Sequence, residues 1–122
     1  MVVLTKCDKR VICIEFAKHV PKVRDLLHLT QQQFGAMCGI SIDRLSRIEN
    51  EHAVMTWSQF TSILFVCMFN LDTKEYLFAN SVLPIELFQY VQQKEENIPP
   101  TINTFVHEEI IKSYLNKNRS DE

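Results

Sequence analysis

The sequence predicts an all-α protein, and three observations support this fold class. Thr or Asp is followed three residues later by Gln or Glu at several points, which is the spacing of a capping box at a helix N-terminus. Apolar residues recur at helical spacing after these points. The chain has only two glycines among its 122 residues, which argues against a fold built from strands and tight turns.

The length and composition fit one compact domain with an appendage. Hydrophobic residues make up 46% of the chain, which is enough to form a core. No apolar stretch approaches the roughly 20 residues of a membrane-spanning helix. The N-terminus lacks the basic region and the small-residue cleavage site of a signal peptide. We therefore expect a cytoplasmic protein.

The two parts of the chain differ in charge, although the formal net charge of the whole is only −2. Residues 1–50 contain eight Lys and Arg against five Asp and Glu, whereas residues 51–122 contain five against ten. This asymmetry predicts a basic face in the first part and an acidic remainder.

The first helix is predicted from about Asp8 to His28, and Pro21 interrupts it. Proline removes a backbone donor and clashes one turn back. Either the helix kinks at this point, or a separate N-terminal helix ends near His19 and the next helix begins at Pro21. The sequence leaves both arrangements open.

The stretch from Leu29 to Asn50 predicts two short helices joined by a tight turn. Thr30 and Gln33 form a capping box at the first of them, and Ser41 is a good N-cap for the second. Gly39 between them suits the left-handed residue that ends a helix.

Each of these two helices has a buried and an exposed face by its spacing. Phe34, Met37 and Cys38 share the apolar face of the first helix. In the second helix, Leu45 and Ile48 point one way and polar residues point the other. This outward set consists of Asp43, Ser46 and Arg47.

Further helices are predicted in the rest of the chain. Thr56 with Gln59 begins a fourth helix, and Asp72 with Glu75 begins a short fifth helix that ends near Ala79. Pro84 suits the first turn of a helix to about Glu96. After a hinge at residues 98–101, a final helix runs from about Ile102 to Asn116. These last two helices carry more apolar residues than a solvated tail needs: Leu87, Phe88, Val91, Phe105, Ile110, Tyr114 and Leu115.

A helix, a glycine turn and a second helix with a polar outer face form the pattern of a helix-turn-helix. A plain αα-hairpin in any helical protein would show the same geometry. The residues of the segment 20–68 resemble the Cro/C1-type (XRE-like) helix-turn-helix family of phage and bacterial repressors. The resemblance lies in Val20, Val23 and Arg24, in the runs Leu29-Thr30-Gln31 and Gly39-Ile40-Ser41, and in the run from Leu45 to Asn50.

This resemblance implies a fold and a site. The fold is a five-helix lambda-repressor-like DNA-binding domain in residues 1–80, with its helix-turn-helix core in residues 20–70. The two predicted helices of the C-terminal extension, residues 81–122, lie outside the resemblance. Helix 42–49 would enter the major groove, and Gln31 would hold a phosphate. The residues implied to contact DNA are Gln31, Ser41, Ile42, Asp43, Arg44, Ser46, Arg47 and Asn50.

The resemblance also implies an ion pair between Arg24 and Glu49, which ties the first domain helix to the third. This pair would have a structural role. Glu51 departs from the family pattern, because the loop after the third helix is often basic. A solvated charged face is the plain alternative explanation for Arg44 and Arg47.

We find no pattern that indicates an enzyme, a cofactor or a metal. The four cysteines lack Cys-x-x-Cys spacing, and Cys38 and Cys67 lie on apolar helix faces. A site made from Cys7, Cys13 and His19 has no recognised spacing.

The sequence thus predicts a sequence-specific, DNA-binding transcriptional regulator of bacterial or phage type. It would act as a homodimer held through residues 84–116, although both terminal helices packing back onto the domain would leave a monomer. Two rivals remain open. One is an antitoxin-type autoregulator whose C-terminal helices bind a toxin, and the other is a protein-interaction module that keeps the fold but no longer binds DNA.

Overall fold

The computed structural model describes residues 1–102 and 106–120. Within these residues there are eight helices and no strand, which confirms the all-α class. None of the described helices is long and apolar enough to cross a membrane. The helices are α1 (Lys6–Ala17), α2 (Val20–Leu26), α3 (Gln31–Cys38), α4 (Ile42–Glu49), α5 (Trp57–Met68), α6 (Leu71–Ala79), α7 (Ile85–Val91) and α8 (Glu108–Ser120).

The N-terminal helical region is divided in two, which settles the question raised by Pro21. Helix α1 ends at Ala17, His19 is the N-cap of α2, and Pro21 lies in the first turn of α2. Proline is tolerated there because the backbone N–H it lacks has no partner within the helix. The first helix also begins earlier than predicted, since Thr5 caps it with Asp8 as its partner.

The core is formed by side chains from α1 to α7. Phe16 of α1 packs edge-to-face on Phe60 of α5, with their ring centroids 5.0 Å apart. Leu87 of α7 also lies in this core. Each helix from α1 to α6 contributes at least one fully buried apolar side chain, and these include Phe16, Val20, Val23, Phe34, Leu45, Ile48, Phe60, Ile63 and Leu77.

Helix α5 has the predicted capping box, but the start of α6 differs from the prediction. Thr56 and Gln59 cap α5 reciprocally. At α6 the N-cap is Asn70 instead of Asp72, and its side chain accepts a hydrogen bond from the backbone N–H of Thr73. The Thr73 hydroxyl is buried and donates to the Cys67 carbonyl at 2.7 Å. The Asn70 cap makes Thr73 the third residue of the helix, so α6 begins at Leu71. The Thr73 hydroxyl bond joins this first turn to the end of α5.

The predicted helix from Pro84 to Glu96 is shorter in the structure. Helix α7 ends at Val91, and Gln93 has a left-handed backbone with a φ of 59°. The chain then reverses, and the buried Gln89 side chain donates to the carbonyls of Glu96 and Ile98. These bonds stabilise the reversed segment, so the helix does not continue to Glu96.

The final helix is also displaced from its predicted range of 102–116. Helix α8 spans Glu108–Ser120, and two glutamates in its first turn suit the positive end of the helix dipole. Thr101 is held outside any helix, since its N–H donates to Gln92 Oε1 at 2.7 Å. Phe105, which was predicted to lie in this helix, is outside the described residues.

The N-terminal segment contacts the other end of the described core. The backbone N–H of Val2 donates to the Lys94 carbonyl at 2.8 Å, and the Val2 side chain is buried. The N-terminal amine also contacts the carboxylate of Glu95. The first residues are therefore ordered by contacts with the segment that follows α7, and they do not form a strand.

Candidate nucleic-acid interface

The turn between α3 and α4 has the local structure that its residues predicted. Thr30 and Gln33 cap α3 reciprocally, at 3.1 and 2.9 Å. Gly39 ends α3 in the left-handed region with a φ of 75°. The Ser41 hydroxyl then accepts a hydrogen bond from the backbone N–H of Arg44 at 3.2 Å and caps α4. These caps fix how α4 leaves the turn.

Gly35 sets the close approach of α3 to this turn, a role that the sequence analysis missed. The backbone N–H of Ile40 donates to the Gly35 carbonyl at 2.8 Å. A Cβ at residue 35 would lie 2.5 Å from the Ile40 carbonyl oxygen, and backbone atoms cannot easily move to relieve such a contact. The available signal was a glycine inside a helical pattern, which costs about 1 kcal/mol relative to alanine and therefore suggests a packing requirement.

Helix α4 has one buried and one exposed face. Leu45 and Ile48 are completely buried against the core. On the other side Asp43 and Arg47 are exposed, and the Ile42 side chain is 47% exposed. Ser46 is half-buried at the edge of this face. An exposed isoleucine among polar residues is not explained by the packing of α4.

Arg24 and Glu49 form a two-point ion pair that joins α2 to the end of α4. Arg24 Nε lies 2.9 Å from Glu49 Oε2, and a second guanidinium nitrogen lies 3.0 Å from Oε1. The Glu49 side chain is 4% exposed and that of Arg24 is 24% exposed. The hydrogen bond and the charge of Glu49 raise the pKa of Arg24 above its ordinary value. This pairing geometry is the strong form of an Arg–carboxylate contact.

Two further groups complete this cluster. Arg24 also donates to the Leu29 carbonyl at 3.1 Å, just before the cap of α3. Gln31 Nε2 donates to Glu49 Oε1 at 3.2 Å. Gln31 was expected to hold a phosphate, but the structure places its amide on Glu49. The cluster therefore connects the start of α3 and the end of α4 to α2.

Arg44 differs from its expected role as a DNA contact. Its guanidinium donates to the Val54 carbonyl at 2.6 Å and lies 3.4 Å from Gln59 Oε1. The side chain is half-buried. It thus fastens α4 to the loop before α5 and to the cap of α5. A spacing argument cannot reveal this, since it depends on the path of the loop at residues 50–56.

Arg47 has no such partner within the described part of the chain. Its side chain is exposed, and no ion pair joins it to Asp43 four residues earlier. Asp43 lies in the first turn of α4, where its charge suits the helix dipole. Ser41 and Asn50 are exposed at the two ends of the helix. The guanidinium of Arg47 can therefore reach a ligand without breaking a contact.

The arrangement offers a rigid rod with a mixed outer face. Ile42 supplies an apolar group, Asp43 an acceptor, Ser46 a hydroxyl and Arg47 a planar donor. The buried side of α4, the Arg24–Glu49 pair and the Arg44 contacts hold this face in place. Such a face can recognise a surface with a matching pattern of donors, acceptors and methyl groups.

The comparisons with known proteins give no relative for this chain. No family model matches the sequence, and neither the curated proteins nor the solved structures gave a significant match.

Proposed function

We propose that this protein binds DNA sequence-specifically and regulates transcription, with α4 in the major groove. The observation that carries the proposal is the outer face of α4: Ile42, Asp43, Ser46 and Arg47 lie on one side, held by a fully buried opposite side. The resemblance of residues 20–68 to the Cro/C1-type family supports the same function.

Each outer residue has a role that major-groove chemistry defines. Arg47 donates two hydrogen bonds to guanine O6 and N7, which is the commonest specific contact. Asp43 accepts from the amino group of cytosine, and Ile42 contacts a thymine methyl. Ser46 bonds to either a base edge or the backbone. Ser41 and Asn50 lie at the ends of the helix, where the phosphates approach.

Two of the residues predicted to contact DNA, one of them the predicted phosphate contact, are engaged inside the protein, and this affects the salt dependence. Arg44 and Gln31 are engaged inside the protein, at Val54 and Glu49. The chain has a formal net charge of −2. Since each phosphate contact adds about one to the slope of log affinity against log salt, a small slope is expected. Most of the discrimination then comes from base contacts.

A dimer supplies the affinity that one short recognition helix lacks. Helix-turn-helix proteins place two recognition helices about 34 Å apart on one face of DNA. Residues 84–116 were predicted to hold the two copies together. Leu87 is buried in the core, and Phe88 stacks on Phe78 with ring centroids 5.5 Å apart. The dimer contact is therefore proposed for α8 instead of α7.

A second candidate is a protein-interaction module that keeps this fold without binding DNA. It is favoured by the internal engagement of Arg44, which removes one cation from α4. Under this alternative the exposed Arg47 and Ile42 would contact a protein partner.

Selection of bound fragments from random DNA separates the two candidates. The full chain should enrich one sequence with two related half-sites, and binding to it should weaken as salt is raised. Arg47→Ala should lose the enriched base at one position of each half-site. If no sequence is enriched at low salt, the DNA-binding proposal is rejected in favour of the protein-interaction module.

A further inference from the structure

Among the described residues, one side of α8 forms an exposed apolar surface. Helical spacing places Ile110, Ile111, Tyr114 and Leu115 on one side of this helix. Their side chains are between 44% and 66% exposed. A helix with one apolar side normally buries that side against another element.

The second surface lies where α3 and α5 meet. Met37, Phe65 and Phe69 are 56%, 65% and 79% exposed, and we call these three residues the Phe65 patch. The rings of Phe65 and Phe69 lie 4.8 Å apart, so they form one surface. Met37 and Phe65 line a groove of about 560 Å³ between the two helices. Met37 was predicted to be buried, and this prediction is wrong: the residue is exposed and forms part of the patch.

We propose that α8 of one copy packs into the Phe65 patch of a second copy, and that the exchange is reciprocal. The inference rests on the dimer of the proposed function and names its acceptor surface. Within one chain neither surface covers the other, because the groove is lined by residues of α3 and α5 alone. The patch shares no residue with the outer face of α4.

The area of apolar surface distinguishes reciprocal exchange from pairing of the two α8 helices. At about 150–250 Å² for a large side chain, the exposed part of the α8 face amounts to about 400 Å². Two α8 helices packed together would then bury about 800 Å², below the lower limit of about 1,200 Å² for a stable interface. The three residues of the patch expose a further area of about 400 Å². Two contacts between α8 and the Phe65 patch would therefore bury about 1,600 Å², which is the standard size.

Sedimentation of the full-length chain without DNA tests this contact. The wild type should sediment as a dimer at tens of micromolar. Phe65→Asp in the patch and Tyr114→Asp in α8 should each raise the dissociation constant at least tenfold. Val91→Asp is the matched control, because Val91 is 67% exposed on α7, outside both surfaces, and this variant should change the dissociation constant less than twofold.

An equimolar mixture of Phe65→Asp and Tyr114→Asp gives the sharpest result. The mixed dimer keeps one intact contact, between the α8 of the first variant and the patch of the second. In this mixed dimer both substitutions fall in the same contact, whereas in a dimer of either variant each of the two contacts carries one substitution. The mixed dimer should therefore form more tightly than a dimer of either variant alone. Phe69→Asp replaces Phe65→Asp if thermal melting shows that the latter does not fold.

Several outcomes would overturn the proposal. A wild type that remains monomeric removes the dimer, and a dimer that survives substitution in the patch but not in α8 indicates pairing of the two α8 helices. A dimer that survives both substitutions uses another surface. A mixture that associates no better than its components rules out the reciprocal exchange. None of these measurements uses DNA. Their outcomes therefore test the dimer contact separately from the proposed DNA binding.

Discussion

The two sides of α4 differ in how many partners each residue has inside the protein. On the inner side, Leu45 and Ile48 are fully buried, and Glu49 accepts from Arg24 and Gln31. On the outer side, Asp43 and Arg47 are exposed, with no side-chain partner shown in the described chain. The residues that stabilise the fold and the residues that are free to contact a ligand thus lie on different sides of one helix. Substitutions on the two sides should have different effects.

The two arginines of α4 show that charge alone does not identify a ligand contact. Arg44 and Arg47 are one turn apart and have the same chemistry. Arg44 is bonded to the Val54 carbonyl, whereas Arg47 extends into solvent. Only the path of the loop before α5 makes the difference. A positive residue on an exposed helix face is therefore free to contact a ligand only when no internal acceptor is in reach.

The largest expected effect belongs to the inner side. Glu49→Ala strands the Arg24 guanidinium and removes the acceptor of Gln31. A fully buried pair would cost about 3–5 kcal/mol, and we expect roughly 2–4 kcal/mol because Arg24 is partly exposed. The free energy of unfolding in urea measures this loss.

Glu51→Ala is the matched control for Glu49→Ala. Glu51 is exposed, and its backbone is left-handed with a φ of 61°. Because glutamate and alanine both have a Cβ, the substitution does not change the strain of this backbone conformation. Its unfolding free energy should change by no more than about 0.5 kcal/mol. Equal losses in the two variants would mean that the Arg24–Glu49 pair adds nothing to stability.

A smaller difference in stability is expected between the two arginines. Arg44→Ala leaves the Val54 carbonyl without its charged donor, which should cost about 1–2 kcal/mol of unfolding free energy. Arg47→Ala removes an exposed side chain and should change stability by about 0.5 kcal/mol or less. Thermal or urea unfolding of both variants measures the difference. If Arg44→Ala is as stable as the wild type, Arg44 is available to a ligand after all.

Local signals were enough to predict much of the fold. The capping boxes at Thr30 and Thr56, the glycine at residue 39 and the cap at Ser41 all rely on bonds between near neighbours. Such bonds can be predicted from a few neighbouring residues of the sequence. The spacing of Leu45 and Ile48 likewise separated the buried side of α4 from its outer side.

The errors arose where side-chain bonds outside the helical i,i+3 and i,i+4 pattern decide where a helix begins or ends. Thr73 is bonded to the carbonyl of Cys67, and this moved the start of α6. Gln89 is bonded to the carbonyls of Glu96 and Ile98, and the chain reverses after α7. Met37 has apolar spacing, but no element covers it. The first two outcomes depend on single side-chain bonds beyond one helical turn, and the third depends on which elements pack against α3. The periodicity of apolar residues along one helix contains neither kind of information.

The most direct test of the account is the affinity of Arg47→Ala for the selected DNA sequence at fixed salt. Fluorescence anisotropy should show a loss of about 1–3 kcal/mol on that sequence and much less on random DNA. Lys18→Ala is the control for the lost charge, because Lys18 is exposed at the end of α1 and pairs with the exposed Glu15. It should bind as the wild type does. Unchanged affinity of Arg47→Ala for the selected sequence, or an equal loss on random DNA, would contradict the proposal that this face reads DNA.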